Sequence, residues 1–251
     1  MSDIAISVTV FACVFAGALL GIYLRTALPA HHLSPESEDV VKLGMGLIAT
    51  MAALVLGLLI ASTKGSYDTQ RSELRQLSAK IMLLDRVLAH YGPETKDSRD
   101  LLRHAVVRVL DQMWPEDRAQ PAQLTPTATG AEPLYDKIQA LAPQNDSQRS
   151  IQAEALSLAT DIAQTRWLMF EQQGSSIPLP FLVMLVFWLA ILFVSFGLAA
   201  PFNTTVLAAL FVCAFSVAGA IFLILELDQP FVGSLQIPSA PLRNALARLG
   251  Q

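Results

Sequence analysis

The chain alternates between long apolar blocks and polar stretches. Four blocks carry almost no charge, and each has about 20 residues, the length that an α-helix needs to cross roughly 30 Å of hydrocarbon. The blocks cover residues 4–24, 43–62, 177–198 and 206–227. The pattern therefore predicts an all-α membrane protein with four transmembrane helices, which we expect to form two helical hairpins.

The polar residues between the second and third blocks predict an inserted helical domain. Residues 64–176 contain 13 of the 17 Lys and Arg residues and 15 of the 21 Asp and Glu residues. We therefore expect four parts: hairpin 1 in residues 1–63, a water-exposed helical domain in 64–176, hairpin 2 in 177–228 and a tail in 229–251. Because the N-terminal segment MSD lacks the basic start of a signal peptide, the first block is expected to be a retained span.

Local signals set the expected helix boundaries outside the membrane. A helix from Ser66 to Tyr91 is predicted by apolar residues at three- and four-residue steps, and Gly92-Pro93 ends it. This stripe consists of Leu74, Leu77, Ile81, Leu84 and Leu88. Asn145 or Asp146 is expected to cap a later helix that runs to about Gln173. Residues 26–41 are expected to be an irregular loop that contains His31 and His32.

The second block, KLGMGLIATMAALVLGLLIASTKGSYD, has no charge between Lys42 and Lys64, and no proline follows until Pro93. One helix can therefore leave the membrane at Lys64 and continue into the polar domain.

With a rotation of about 100° per residue, two faces of this helix can be distinguished. A small face holds Gly46, Thr50, Ala53, Gly57 and Ala61, and a bulky face holds Gly44, Ile48, Met51, Val55 and Leu58. The small face suits tight contact between helices. The bulky face suits lipid, a neighbouring helix or an apolar constriction in a pore, and the residues do not choose between these.

Composition and charge exclude several classes of function. Of the residues, 53% are hydrophobic and 15% are charged, against about 25% charged in an average soluble protein. The polar domain is nearly balanced in charge, so no nucleic-acid partner is expected. Cys13 and Cys213 both lie in apolar blocks, where we expect helix-packing roles and no disulfide.

The distribution of basic residues predicts sidedness. Lys64, Arg71, Arg75, Arg166, Arg243 and Arg248 lie near span ends on the side of the polar domain. Arg25 and Lys42 lie on the other side. The positive-inside rule then places the N-terminus, the polar domain and the tail in the cytoplasm.

No motif for catalysis is present: the sequence contains no nucleophile elbow, phosphate loop, zinc spacing or dinucleotide fingerprint. We therefore expect no catalytic residue, no cofactor, no metal and no enzyme activity. Asp97, Asp100 and His104 share one helix face. A metal site there is possible, but a solvated face is the favoured interpretation, with charge neutralised by Arg99, Arg103 and Arg108.

Glu226 and Asp228 end the fourth apolar block. Acidic residues at the end of a span are costly unless they are solvated or paired. One interpretation is a simple stop at the water interface. The other is an acidic ring that attracts cations in a symmetric oligomer.

Three segments carry a resemblance to a known family. They are the second block quoted above, QTRWLMFEQ before the third block, and LILELDQPFVGSLQIPSAPLRNAL after the fourth. Together they resemble the bestrophin-like bacterial membrane proteins (DUF4239), with a more remote similarity to the bestrophin ion channels. The resemblance implies a homo-oligomeric channel, pentameric by analogy, in the bacterial inner membrane.

By the same resemblance the second span lines the pore. The implied pore-lining residues are Ile48, Met51, Val55, Leu58 and Thr50, and the implied partners are the lipid bilayer, ions and further copies of the chain. The alternative is a membrane-anchored scaffold or interaction protein. Its cytoplasmic helices would bind a partner through an exposed remainder of the Leu74–Leu88 stripe.

Overall fold

The computed structural model describes residues 2–27, 35–114, 132–172, 177–201, 203–233 and 235–250, with the backbone alone for 35–38. Within these ranges the regular structure is helical and no strand occurs, which confirms the all-α prediction. The helices are α1 (Asp3–Ala27), α2 (Pro35–Tyr91), α3 (Lys96–Met113), α4 (Glu132–Gln139), α5 (Asp146–Glu171), α6 (Leu179–Ala199), α7 (Thr204–Asp228) and α8 (Ala240–Arg248).

Four of these helices, α1, α2, α6 and α7, are long and apolar enough to cross a membrane. Helices α1, α2 and α7 contain the first, second and fourth predicted blocks, and α6 begins at Leu179, two residues after the predicted start of the third. The prediction of an irregular loop over residues 26–41 is wrong at both ends, because α1 runs to Ala27 and α2 already begins at Pro35. A proline in the first helical turn loses no hydrogen bond, so the helix can start there. His31 and His32 lie outside the described residues.

The chain divides into two compact units. Unit 1 comprises Met1–Ser66 and Ser175–Asp228, and unit 2 comprises Tyr67–Gly174 and Gln229–Gln251. Helix α2 therefore contributes residues to both units. The segment after α7, which the sequence presents as a tail, belongs to the same compact unit as α3, α4 and α5.

In unit 1, α1 packs closely against α6 through glycines. A Cβ atom added at Gly17 would lie 2.9 Å from the backbone oxygen of Ala190, and one at Gly21 would collide with the backbone oxygen of Val194. A Cβ on Gly197 of α6 would collide with the backbone oxygen of Ala18. The small residues thus allow the two backbones to touch. Arg25 then donates a hydrogen bond to the Ala199 carbonyl oxygen at 2.8 Å, at the end of α6.

Helix α7 packs on the same helix α1 through aromatic rings. Phe11 and Phe15 each meet Phe211 edge to face, at centroid distances of 5.3 and 5.5 Å. Such arrangements match the positive ring edge to the negative ring face. Cys13 and Cys213 are both exposed, so the expected helix-packing role of the cysteines is wrong within unit 1.

Unit 2 has its own apolar core, built from the half of α2 that begins at Tyr67 and from α3, α4, α5 and α8. The fully buried side chains of this core include Leu74, Leu77, Leu84, Leu88, Met113, Ile138, Ile237 and Leu242. Trp114 links the end of α3 to the segment after α7, since its Nε1–H donates to the Ile237 carbonyl oxygen at 2.9 Å.

Capping residues end the helices of unit 2 close to the predicted positions. Helix α2 stops at Tyr91, and Gly92 has a φ of 140°, a conformation that side chains disfavour. The Thr95 hydroxyl donates to the Leu88 carbonyl oxygen at 2.6 Å and so satisfies one carbonyl of the last turn of α2. Asn145 caps α5 as predicted, its side chain accepting from the Gln148 N–H at 2.8 Å.

Candidate functional site

The part of α2 between Leu43 and Ser62 has one face against unit 1 and one face uncovered. Ala52 and Leu59 are buried in the apolar core of unit 1, and the Thr63 hydroxyl, also buried, donates to the Leu59 carbonyl oxygen at 2.9 Å. These residues recur at intervals of seven and four residues, so they share one side of the helix. The opposite side is the candidate functional surface.

The centre of the uncovered side is a row of leucines that we call the leucine stripe. Its members are Leu43, Leu47, Leu54 and Leu58, which are 78%, 65%, 70% and 62% exposed. Large apolar side chains in such a row would be unstable in contact with water on a single protein chain. The stripe therefore faces lipid, another protein surface or an apolar pore.

The predicted small face flanks the leucine stripe on one side. All five of its residues are exposed, and a Cβ atom added at Gly46 or Gly57 would meet no described atom within 4 Å. The Thr50 hydroxyl donates to the Gly46 carbonyl oxygen at 2.8 Å, so its polar group is satisfied within the helix. The small face thus has room for the close approach of a second helix, which α1, α6 and α7 do not supply.

The predicted bulky face divides between the two sides of the helix. Ile48 and Val55 are half-buried and pack against the apolar core of unit 1. Met51 is 40% exposed and Leu58 belongs to the leucine stripe. Ile48 and Val55 therefore lie at the border of the uncovered side, while Thr50, Met51 and Leu58 lie on it.

Sequence reasoning missed Leu43, Leu47 and Leu54, which occupy the centre of the uncovered side. At about 100° per residue they fall between the small face and the bulky face. The signal was present as alternating steps of four and three, which join Leu43, Leu47, Thr50, Leu54, Gly57 and Ala61 into one heptad-like row.

The two acidic residues at the end of α7 lie together in unit 1. Glu226 is buried and Asp228 is half-buried, and both take part in polar or electrostatic interactions. Asp3, in the first turn of α1, lies within electrostatic range of both carboxylates. Three carboxyl groups therefore gather where α1 begins and α7 ends.

The acidic face of α3 is exposed to solvent, but Arg99 does not form an ion pair with its carboxylates. Asp97 pairs instead with Lys137 of α4 at 3.2 Å, and His104 Nδ1 lies 2.8 Å from the Asp100 carbonyl oxygen. Arg99 reaches back to α2, where its Nε and Nη2 donate to the two carboxylate oxygens of Asp85 at 2.7 and 3.0 Å.

This Asp85–Arg99 pair is largely buried, with exposed fractions of 2% for the Asp85 side chain and 22% for Arg99. The Asp85 hydrogen bonds raise the pKa of the Arg99 guanidinium. The Gly250 N–H also donates to Asp85, at 3.3 Å. The pair therefore ties the chain end to α2 and α3, and its role is structural.

The Leu74–Leu88 stripe leaves no exposed remainder for a partner. Leu74, Leu84 and Leu88 are fully buried, and Leu77 and Ile81 are nearly so. These side chains form the core of unit 2 together with α3 and α5. The scaffold hypothesis required an exposed part of this stripe. The stripe has none, because its side chains are buried in the core of unit 2.

Comparisons with known proteins give one consistent result. The Bestrophin-like domain family matches residues 12–242. Two mutant crystal structures of a bacterial bestrophin homolog from Klebsiella pneumoniae share the fold. For one, the TM-score is 0.71 at 15% identity, with 100% of this chain and 99% of that chain covered. For the other, it is 0.65 at 15% identity, with 95% and 99% covered. No curated protein sequence matches the chain.

Proposed function

The chain belongs to the Bestrophin-like family, and from that premise we propose that it is a homo-oligomeric ion channel whose pore is lined by the uncovered side of α2. The family and the whole-length fold likeness suggest a channel and not an enzyme. The observation that carries the proposal is the charge-free, uncovered side of α2 between Leu43 and Ala61.

A helix that lines a pore in a ring of subunits needs three kinds of surface. One side must pack on its own subunit, the flanks must meet neighbouring subunits, and the side opposite its own subunit must face the axis. In α2 the first side is the one with Ala52 and Leu59. The opposite side is centred on Leu54, which we therefore place nearest the axis, with Leu47 and Leu58 beside it.

The two flanks of the axis-facing side of α2 then have different roles. The small face, with Gly46 and Gly57, suits close contact with a neighbouring copy because small residues let backbones approach. Thr50 lies between that contact and the axis, Met51 lies on the other flank beside the leucine stripe, and both contribute to the pore wall. Ile48 and Val55 pack towards their own subunit and set the position of the wall from behind.

An apolar wall conducts ions only where it is wide enough to remain wet, and a narrow apolar ring gates by dewetting. The leucine stripe would form such rings. It offers no charge, so ion preference would come from another part of the molecule. Glu226 and Asp228, repeated around a symmetric ring, would supply negative potential that attracts cations.

For the setting of the channel we propose the bacterial inner membrane with the N-terminus, unit 2 and the chain end in the cytoplasm. This orientation rests on the excess of Lys and Arg near the span ends on that side. The two hairpins of the sequence, α1 with α2 and α6 with α7, would then each cross the membrane twice, with α3, α4 and α5 between them.

The test is reconstitution of the purified full chain into planar bilayers, together with electron microscopy of the same preparation. The proposal predicts discrete ionic currents and a ring-shaped particle with α2 around a central axis, five-fold if the analogy to bestrophins extends that far. A monomeric particle and silent bilayers would contradict it. Currents from a particle whose α2 faces lipid would contradict the assignment of the pore.

A further inference from the structure

A buried polar cluster joins α2 to the end of α5 in unit 2. Gln70 of α2 is only 3% exposed, and its Nε2 donates to the Gln172 carbonyl oxygen at 3.2 Å. The side chain of Gln172 in turn donates from its Nε2 to Oε1 of Glu73 at 3.0 Å. Gln70 and Glu73 are three residues apart, so they share one face of α2. Both therefore meet the same residue, Gln172, directly after α5.

Two oxygen atoms of this cluster have no hydrogen-bond donor among the described residues. They are Gln70 Oε1 and Glu73 Oε2, and both atoms are buried. Buried polar atoms in native proteins nearly always have a partner, because an unpartnered one is costly. An amide oxygen and a carboxylate oxygen can only accept, so the partner that both require is a donor or a cation.

An exchange of the amide atoms of either glutamine does not supply this partner. The nitrogen and oxygen of an amide are assigned from the hydrogen bonds around them. With the Gln70 atoms exchanged, its Oε1 would face the Gln172 carbonyl oxygen, and two acceptors would repel each other. With the Gln172 atoms exchanged, an oxygen would face the Glu73 carboxylate. The two oxygens therefore lack a partner because the cluster has more acceptors than donors.

The cluster also contains a negative charge that no described cation balances. Glu73 belongs to no ion pair of the described residues, whereas Asp161 of α5 pairs with Lys80 at 3.3 Å. Burial, followed by the nearby Arg108, lowers the pKa of Arg166, and no acidic neighbour raises it, so Arg166 does not serve Glu73. A water molecule could donate to both oxygens but would leave the charge of Glu73 uncompensated.

We propose that Gln70 Oε1 and Glu73 Oε2 together bind a monovalent alkali cation, sodium or potassium. Such hard cations take oxygen ligands, among them carboxylates, amide carbonyls and water. A single positive charge balances the single carboxylate, whereas a calcium site is usually built from several carboxylates. Helix α2 contains the second apolar block, and α5 precedes the third. The cation would thus hold together the two helices through which the chain enters and leaves unit 2.

The test is thermal unfolding of the purified full chain in detergent, with one chloride salt at a time and at equal ionic strength. The salts are those of sodium, potassium and N-methyl-D-glucamine, whose cation is too large to lie between the two oxygens. A ligand that binds only the folded chain raises Tm as its concentration increases. Sodium or potassium should therefore raise Tm by about 2–4 °C above the value in N-methyl-D-glucamine. The comparison between the two alkali salts shows which ion the site prefers.

Two variants and one control show whether the response belongs to this cluster. Glu73→Gln removes the charge and adds an amide that can donate to Gln70 Oε1. It should lose the response to alkali cations and should melt at or above the wild-type temperature in N-methyl-D-glucamine. Gln70→Met removes the other oxygen and should also lose the response. Glu171→Gln makes the same change at an exposed acid beside Gln172 and should keep it.

Equal melting temperatures in the three salts would overturn the proposal, since a water molecule would then be sufficient between the two oxygens. An alkali response that persists in Glu73→Gln would overturn it as well, because the cation would then bind elsewhere. Loss of the response in the Glu171→Gln control would show a general effect of acidic residues and would equally contradict a site at Glu73. None of these results depends on whether the protein conducts ions.

Discussion

The two halves of α2 carry similar apolar rows but have opposite surroundings. In the half that belongs to unit 2, Leu74, Leu77 and Leu84 are at most 2% exposed. In the half that belongs to unit 1, Leu43 and Leu54 are 70% exposed or more. Water forces an apolar row to be covered by its own chain, whereas lipid or a neighbouring subunit does not. The covered half therefore reports the fold of one chain, and the uncovered half is the surface that lipid or a neighbouring subunit would cover.

We expect the largest loss of stability when Asp85, a buried acidic residue in the covered half of α2, is replaced. Asp85→Ala leaves Arg99 buried without its carboxylate, and loss of one partner of a buried pair costs about 3–5 kcal/mol. The free energy of unfolding of unit 2 should fall by this amount, measured by denaturant titration with tryptophan fluorescence. The control is Asp97→Ala, whose pair with Lys137 is exposed and contributes about 0–1 kcal/mol. Equal losses in the two variants would contradict this difference.

A matched pair of leucines tests the comparison directly. Leu84→Ala should destabilise the protein by about 2–5 kcal/mol, because the side chain is fully buried and its removal leaves a cavity. Leu54→Ala should change stability by no more than about 0.5 kcal/mol in a monomeric preparation, since the side chain contacts little of its own chain. A large loss for Leu54→Ala in the monomer would show that α2 is covered by its own subunit.

Much of the fold could be predicted from the sequence, because helix length, periodicity and caps are local properties. The four spans, the end of α2 at Tyr91 and the Asn145 cap followed from them. The partner of Arg99 did not, since Asp97 and Asp100 are nearer along the chain while Asp85 is nearer in space. The closed core around Leu77 and Leu84 likewise depends on distant helices.

The candidate site could be predicted only in outline. The absence of charge from the second span was visible, and so were its small residues. The leucine stripe was missed because a fully apolar helix has no polar face. Without a polar face, the sequence does not indicate which side of the helix is buried. Only the contacts of Ala52 and Leu59 with the core of unit 1 show which side remains uncovered. Periodicity identifies a helix but does not say what covers it.

A smaller effect on stability, with a larger effect on assembly, is expected at the small face. A Cβ atom added at Gly57 meets no described atom within 4 Å in its own chain, so the protomer that carries Gly57→Leu should keep its melting temperature. If a neighbouring copy packs there, the added side chain should shift the particle to smaller species in native mass spectrometry. Gly219→Leu of α7 also has open space and serves as the control. An unchanged oligomer for both variants would remove the small face from the interface.

The central claim, that the uncovered side of α2 faces a pore, is tested most directly by chemical modification during current recording. Cys13 and Cys213 are first replaced by serine, and Leu54→Cys is compared with Ala52→Cys, which is buried in unit 1. A charged thiol reagent should change the current through Leu54→Cys and leave Ala52→Cys unaffected. Complete modification of Leu54→Cys, verified by mass, with no change in current would contradict the account.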